Sequence, residues 1–168
     1  GFYDTGVRYV RRLVQEGAPM CMPVPLPEEE DCFRTKGIYD LHLLLEGMPI
    51  DTITRNDVTI EGCDGTLIRG ANSTGKTCTI RSIGAAILFS QAGFPVCAEN
   101  AEISIRDAVF CQFSSAEKDF EATDAAGRFE GEVKEVAAIL NVVPPWSLFL
   151  FNETFQTTAY AEGAAGRG

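Results

Sequence analysis

An α/β fold, a mostly parallel sheet flanked by helices, is what this sequence predicts, and three observations predict it. Short apolar runs of strand character alternate along the chain with segments of helical period. One run, Leu148 to Phe151, shows no polar face, as in a strand buried on both sides of a covered parallel sheet. A glycine-rich stretch then joins the run Thr66, Leu67 and Ile68 directly to an amphipathic segment. Alternation of this kind belongs to layered α/β architectures.

Each element follows from its local pattern. Residues 3 to 16 place Val7, Tyr9, Val10 and Leu13 near helical spacing between Arg8, Arg11 and Arg12, and Gly17 is the stop. Pro19, Pro23, Pro25 and Pro27 then forbid helix and predict an extended connector. The acid run Glu28, Glu29, Glu30 and Asp31 is expected to be solvated. Residues 1–32 thus read as a helical and connector segment, and residues 33–168 as the domain it leads into. Val58, Thr59 and Ile60 alternate as a strand, residues 62–65 turn, and Thr66 to Ile68 is a second strand. After Gly75 the period is helical, with Ile80, Ile83, Ile87 and Leu88 on one face and Gly93 at the end. Residues 109–113 form a further strand and Ser114 to Gly127 a polar loop. Phe129, Val133, Val136, Ala137 and Leu140 mark a second amphipathic helix, which Pro144 and Pro145 stop.

Bulk composition bounds the function. The length of 168 residues is one domain's worth, and 45% hydrophobic with 23% charged residues is the balance of a soluble globular protein. No run approaches the roughly 18 apolar residues of a membrane span, so a membrane partner is not expected. A chain that opens with Gly-Phe-Tyr-Asp and ends in Ala-Ala-Gly-Arg-Gly looks like an excerpt from a longer one. The net charge of −10 argues against a domain that grips DNA phosphates by itself. Six cysteines, with no C-x-x-C pair and one histidine, His42, make neither a zinc site nor a disulfide frame, and read as reduced cytoplasmic thiols.

The stretch Gly70, Ala71, Asn72, Ser73, Thr74, Gly75, Lys76, Thr77 fits G-x-x-x-x-G-K-[ST] in full. Four fixed positions recur by chance in roughly one chain of this length in a couple of hundred, and the run-in and helix run-out sharpen that further. The chemistry needs each piece. Glycines let the backbone curl so that successive N–H groups, those of Gly70 to Cys78, cradle phosphate oxygens. The helix beginning near Gly75 turns its positive end to the same anion. Lys76 brings a full charge to the β and γ phosphates, and the Thr77 hydroxyl is a magnesium ligand. The expected ligands are therefore ATP or ADP with Mg2+. A second acidic element is expected at the end of the apolar run Leu148 to Phe151, where Asn152 and Glu153 stand. Glu153 is placed to orient or deprotonate the attacking water. Asn152 stands where an aspartate would hold the metal.

These residues resemble the MutS family. The run from Leu67 to Arg81 resembles its Walker A stretch, with an asparagine inside the loop and an arginine on the helix. Phe129 to Leu140 looks like the helix after its signature loop, and Leu148 to Glu153 with Thr157 and Thr158 resembles its Walker B strand and dimer-contact turn. Gly37-Ile38-Tyr39-Asp40 and Asn56-Asp57-Val58 look like its lead-in to the first strand. The resemblance covers roughly residues 33 to 165 and implies a C-terminal P-loop ATPase domain of the ABC-ATPase type. It further implies a homodimer in the full-length protein, ATP binding coupled to a clamp on DNA held by other parts of that protein, and an adenine site ahead of the loop, near Ile38 and Tyr39. Three departures, Asn152, Gly127-Arg128 before Phe129 in place of Ser-Thr, and an end fifteen residues after Glu153, point to a divergent member. Arg128 either reaches a phosphate in trans or neutralises its acidic surroundings.

Two rivals stand beside this reading. One is a non-hydrolysing nucleotide-binding dimerisation module, for which Asn152 would mark lost chemistry. The other is a different P-loop enzyme unrelated to DNA; no L-S-G-G-Q run supports transport, and no basic lid supports a kinase.

Overall fold

The computed structural model describes residues 1–62, 65–71, 74–113 and 125–152. The chain divides into two units, Gly1–Arg106 and Asp107–Gly168.

In the first unit, α1 (Phe2–Gln15) opens the chain and β1 (Val24–Leu26) follows the proline-rich connector. The acid run closes a single 3-10 turn, Glu28–Glu30, none of it buried, and Asp31 leaves it with φ 42°. Next come β2 (Cys32–Ile38), the short helix α2 (Leu41–Leu45), β3 (Asn56–Glu61), α3 (Lys76–Gln91) and β4 (Asn100–Ser104). The four strands form one sheet in the order β1-β4-β2-β3. β1 runs parallel to β4, while β2 is antiparallel to both β4 and β3.

β2 is paired on both edges, and its burial alternates, with Arg34 and Lys36 outward between buried neighbours. Its register against β3 shifts between Thr35 and Ile38. Gly37 sits inside that bulge at φ 63°, and its N–H donates to Asp57 Oδ1 at 2.8 Å. Arg34 bridges the strands on either side through ion pairs to Glu61 and Glu102. α3 lies against β2 and buries Ser82, Ile83, Gly84, Ala86 and Ile87. A second cluster gathers Leu13 of α1 with Ala18, Tyr39, Ile53 and Cys97. Gly6 lets α1 pass the ring of Phe94, since a Cβ there would stand 2.7 Å from the ring edge.

The second unit holds β5 (Ala108–Phe113), α4 (Ala125–Leu140) and β6 (Ser147–Asn152). β5 and β6 pair in parallel from Ala108↔Ser147 to Phe113↔Asn152, a pairing that needs a long crossover. Phe110 stacks on Phe149 at 5.0 Å, and Phe149 on Phe151 at 5.9 Å.

The α/β class is present, but the sheets correct the expectation in detail. The larger sheet is mixed, parallel only between β1 and β4, and among the described strands the wholly parallel sheet is the β5–β6 pair. Thr66, Leu67 and Ile68 form no strand: residues 65–70 have no regular structure and Leu67 is 72% exposed. Three such residues express a preference, and a strand exists only where a neighbour completes its ladder. Residues 125–127, read as loop, belong to α4, whose Ala-Ala start has high helical propensity. In α3, Ile83 and Ile87 are buried but Leu88 is exposed, because the buried stripe is filled by Ser82, Gly84 and Ala86 instead. β6 buries Leu150 and Asn152 while Phe151 is exposed, so its apolar run is not covered on both sides.

Candidate functional site

The glycine loop folds onto its own lysine. Lys76 Nζ donates to the carbonyl oxygens of Gly70 at 2.6 Å and Ala71 at 3.0 Å. Thr74 Oγ1 donates to Ala71 O at 2.7 Å, closing the loop from the other side. Two glycines are required for this path. A Cβ on Gly70 would stand 2.7 Å from Thr74 Oγ1, and Gly75 caps α3 in the left-handed region at φ 88°. The ammonium therefore sits on the loop's own carbonyls, in two charge-assisted hydrogen bonds.

The amino end of α3 adds to the same field. It carries the positive end of a helix of 16 residues, with no acid in its first turn and no side chain at its cap to compete. Thr79 holds the first turn to the loop, its N–H and hydroxyl both donating to Gly75 O at 2.9 and 3.0 Å. Gly70, Ala71, Thr74, Gly75, Lys76, Thr77 and Cys78 are thus brought together at one helix start. Asn72 and Ser73 lie outside the described residues.

Beside this start is a cavity of about 260 Å³. Its lining includes Tyr39, Ile53, Thr54 and Asn56 from the chain ahead of the loop, and Gly75, Cys78 and Thr79 from the start of α3. Tyr39 is buried and its hydroxyl donates to Pro19 O at 3.0 Å, so its ring is what remains for the cavity. Burial pushes the Tyr39 phenol well above its ordinary range, keeping it neutral. Ile38 is buried and does not line the cavity.

Asp40 also lines the cavity, and it is a residue that sequence reasoning gave no role. Its side chain is 4% exposed and pairs with Arg81, whose Nε and Nη2 both lie 2.8 Å from Oδ2. A signal was available: Asp directly before Leu-His-Leu-Leu-Leu is an N-cap pattern, and Asp40 Oδ1 does accept from His42 N at 3.0 Å. His42 itself lies half-exposed beside Glu46, with Nε2 3.2 Å from Oε1.

Asn152 belongs to the second unit, where it ends β6 and is buried. Glu153, Thr157 and Thr158 lie outside the described residues, as does the Arg128 side chain. Five cysteines, Cys21, Cys32, Cys78, Cys97 and Cys111, are free thiols. Among the described residues no group of three or more His, Cys, Asp or Glu side chains comes together to hold a metal ion. Among them, too, no helix is long and apolar enough to cross a membrane.

Comparison with known proteins gives this geometry a family. The chain is 33% identical over 132 residues to the DNA mismatch repair protein MSH2 of Saccharomyces cerevisiae, covering 77% of this chain and 13% of that one. It is 33% identical over 142 residues to the DNA mismatch repair protein MutS of Prochlorococcus marinus, covering 83% of this chain and 15% of the relative. A third relative, the DNA mismatch repair protein MutS of Chlorobium phaeovibrioides, is 32% identical over 146 residues, 85% of this chain and 16% of the relative. The chain therefore spans about a seventh of the length of the curated relatives it matches. The model of MutS domain V matches residues 66–166, from the glycine loop through α4 and β6, and with that match over more than half its length the chain belongs to the MutS family.

Proposed function

We propose that this chain is the ATP-binding and ATP-hydrolysing part, residues 33–168 with 1–32 as lead-in, of a MutS-like DNA-repair protein of the ABC-ATPase type. The observation that carries the reading is Lys76 held on the Gly70 and Ala71 carbonyls at the amino end of α3, beside a cavity of its own unit. The names of the relatives, all mismatch-repair proteins, support the DNA context. In this reading the phosphates take the place of those carbonyls on the Lys76 ammonium, and the α3 dipole adds to the charge. The base enters the cavity between Tyr39, Ile53 and Gly75. Magnesium, when bound, would neutralise phosphate charge; Thr77 would hold it through its hydroxyl, and the sequence pattern alone offers Asn152, a neutral ligand, and Glu153 as the further candidates. The loop fits the phosphates, since it is anion-seeking and α3 carries no acid in its first turn, and the metal would arrive with them on their oxygens. Glu153 orients the water and takes its proton. DNA contact and dimerisation belong to the longer protein.

The test is calorimetric titration of ATP and ADP with magnesium into the protein and into Lys76→Ala. Binding that disappears in the variant supports the nucleotide site. Equal binding by both proteins, or binding by neither, defeats it. A Glu153→Gln protein should bind ATP but hydrolyse it about a hundredfold or more slowly. A second reading has one observation in its favour: a neutral Asn152 holds metal less firmly than an aspartate. On that reading the chain binds nucleotide without turnover and serves dimerisation, and Glu153→Gln would change nothing measurable in phosphate release.

A further inference from the structure

We propose that Asp40 and Arg81 form a positioning pair that couples the cavity to the phosphate-binding loop, so that one ligand is sensed at both; the proposal rests on the nucleotide reading above. Asp40 follows the end of β2 and caps α2, while Arg81 lies five positions past Lys76 on α3. The two side chains meet with both Arg81 nitrogens 2.8 Å from Oδ2, and Arg81 Nη2 also reaches Cys78 Sγ at 3.7 Å. Asp40 and Cys78 both line the cavity. One carboxylate therefore ties together the strand end that walls the cavity, the amino end of α2, and the first turns of the helix that carries Lys76.

The energetics favour a positioning role over plain stabilisation. Asp40 is 4% exposed and Arg81 38%. Burying a carboxylate costs about as much as its partner returns, and well-packed apolar residues generally hold such a junction as firmly. Two guanidinium nitrogens converging on one buried oxygen instead set direction and distance, which apolar packing leaves loose. Both partners bear on the site from one side each. Asp40 sits on the cavity wall and Arg81 on the loop's helix, so a movement of α3 that opens the loop also shifts the cavity.

Asp40→Asn isolates the charge, because asparagine still accepts the His42 N–H and still caps α2. The experiment measures calorimetric affinities for ATP and for inorganic triphosphate, each with magnesium, in the parent, Asp40→Asn, Arg81→Gln and the double variant. Thermal melts of the ligand-free proteins accompany them. Coupling predicts ATP affinity about tenfold weaker in either single variant, with no further loss in the double. Triphosphate, which occupies the loop without the cavity, loses less than ATP. Should Asp40→Asn not fold, Arg81→Gln, altered on the half-exposed partner, carries the same comparison. Folded variants that bind ATP as the parent does overturn the pair's role, as do additive losses in the double variant or equal losses for both ligands. A parent that binds no ATP defeats the nucleotide reading and this inference with it, whereas a parent whose binding Lys76→Ala abolishes and Asp40→Asn spares defeats the pair alone.

Discussion

Gly75 shows how much one residue's backbone decides. At φ 88° it stands where an L side chain is strained, although a Cβ there would meet nothing within 4 Å. Gly75→Ala is therefore expected to cost roughly 1–2 kcal/mol by backbone strain alone. A lowered melting temperature would be accompanied by weaker ATP binding, and an unchanged melt would show that the loop relaxes freely. Cys97 makes a different residue-scale prediction. Burial pushes its thiol up to about 11 from an ordinary value of 9.0. The folded protein then keeps a proton that the unfolded chain releases above pH 9, so this contribution to stability is full below pH 9 and lost as pH rises through about 11. The melting temperature should fall across that window, and more shallowly in Cys97→Ala. Tyr39, raised by burial, adds a loss of the same sense at higher pH. Equal slopes in the two proteins would refute the assignment. Of the proposed site residues, Lys76, Thr77 and the glycines are named by the sequence because the proposed chemistry depends on their spacing. Asp40 is not, because its partner Arg81 is 41 positions away and no local pattern links them.

At the scale of elements, helical period identified α1, α3 and α4 well, since each runs for 14 to 16 residues. β2 and β4 escaped the reading. β2 alternates with Arg34 and Lys36 outward, but Gly37 breaks its pattern at the bulge, and β4 has only five residues. Short strands declare themselves through their neighbours, and the paired residues of β2 and β4, from Lys36↔Asn100 to Phe33↔Ile103, are more than 60 positions apart. α1 has a role beyond leading into the domain: Leu13 is 5% exposed in the cluster that holds Tyr39 and Ile53, two cavity residues. Leu13→Ala should cost roughly 2–5 kcal/mol, read as a drop in the denaturation midpoint. A change below about 0.5 kcal/mol, typical of surface sites, would mean that α1 does not support the cavity wall.

For the whole molecule, charge makes the sharpest statement. A net charge of −10 leaves little to pull DNA phosphates toward this chain. Duplex DNA titrated against the chain at physiological salt should show no binding by fluorescence anisotropy, whatever the longer protein does. Tight, salt-dependent binding would place a DNA contact within these residues and revise the proposed division of labour.

Composition and spacing by themselves determined that the chain is α/β, where its long helices run, and which eight residues fit the phosphate-loop pattern. These are local properties: period, turn chemistry and a motif all act within about a dozen residues. Only the tertiary structure decided that the larger sheet is mixed, that residues 65–70 take no strand, and that Asp40 meets Arg81 beside the cavity. Strand direction and buried ion pairs depend on which distant segments become neighbours. That choice is made by packing the whole unit, where each ladder and each buried charge must find a partner that local sequence does not name.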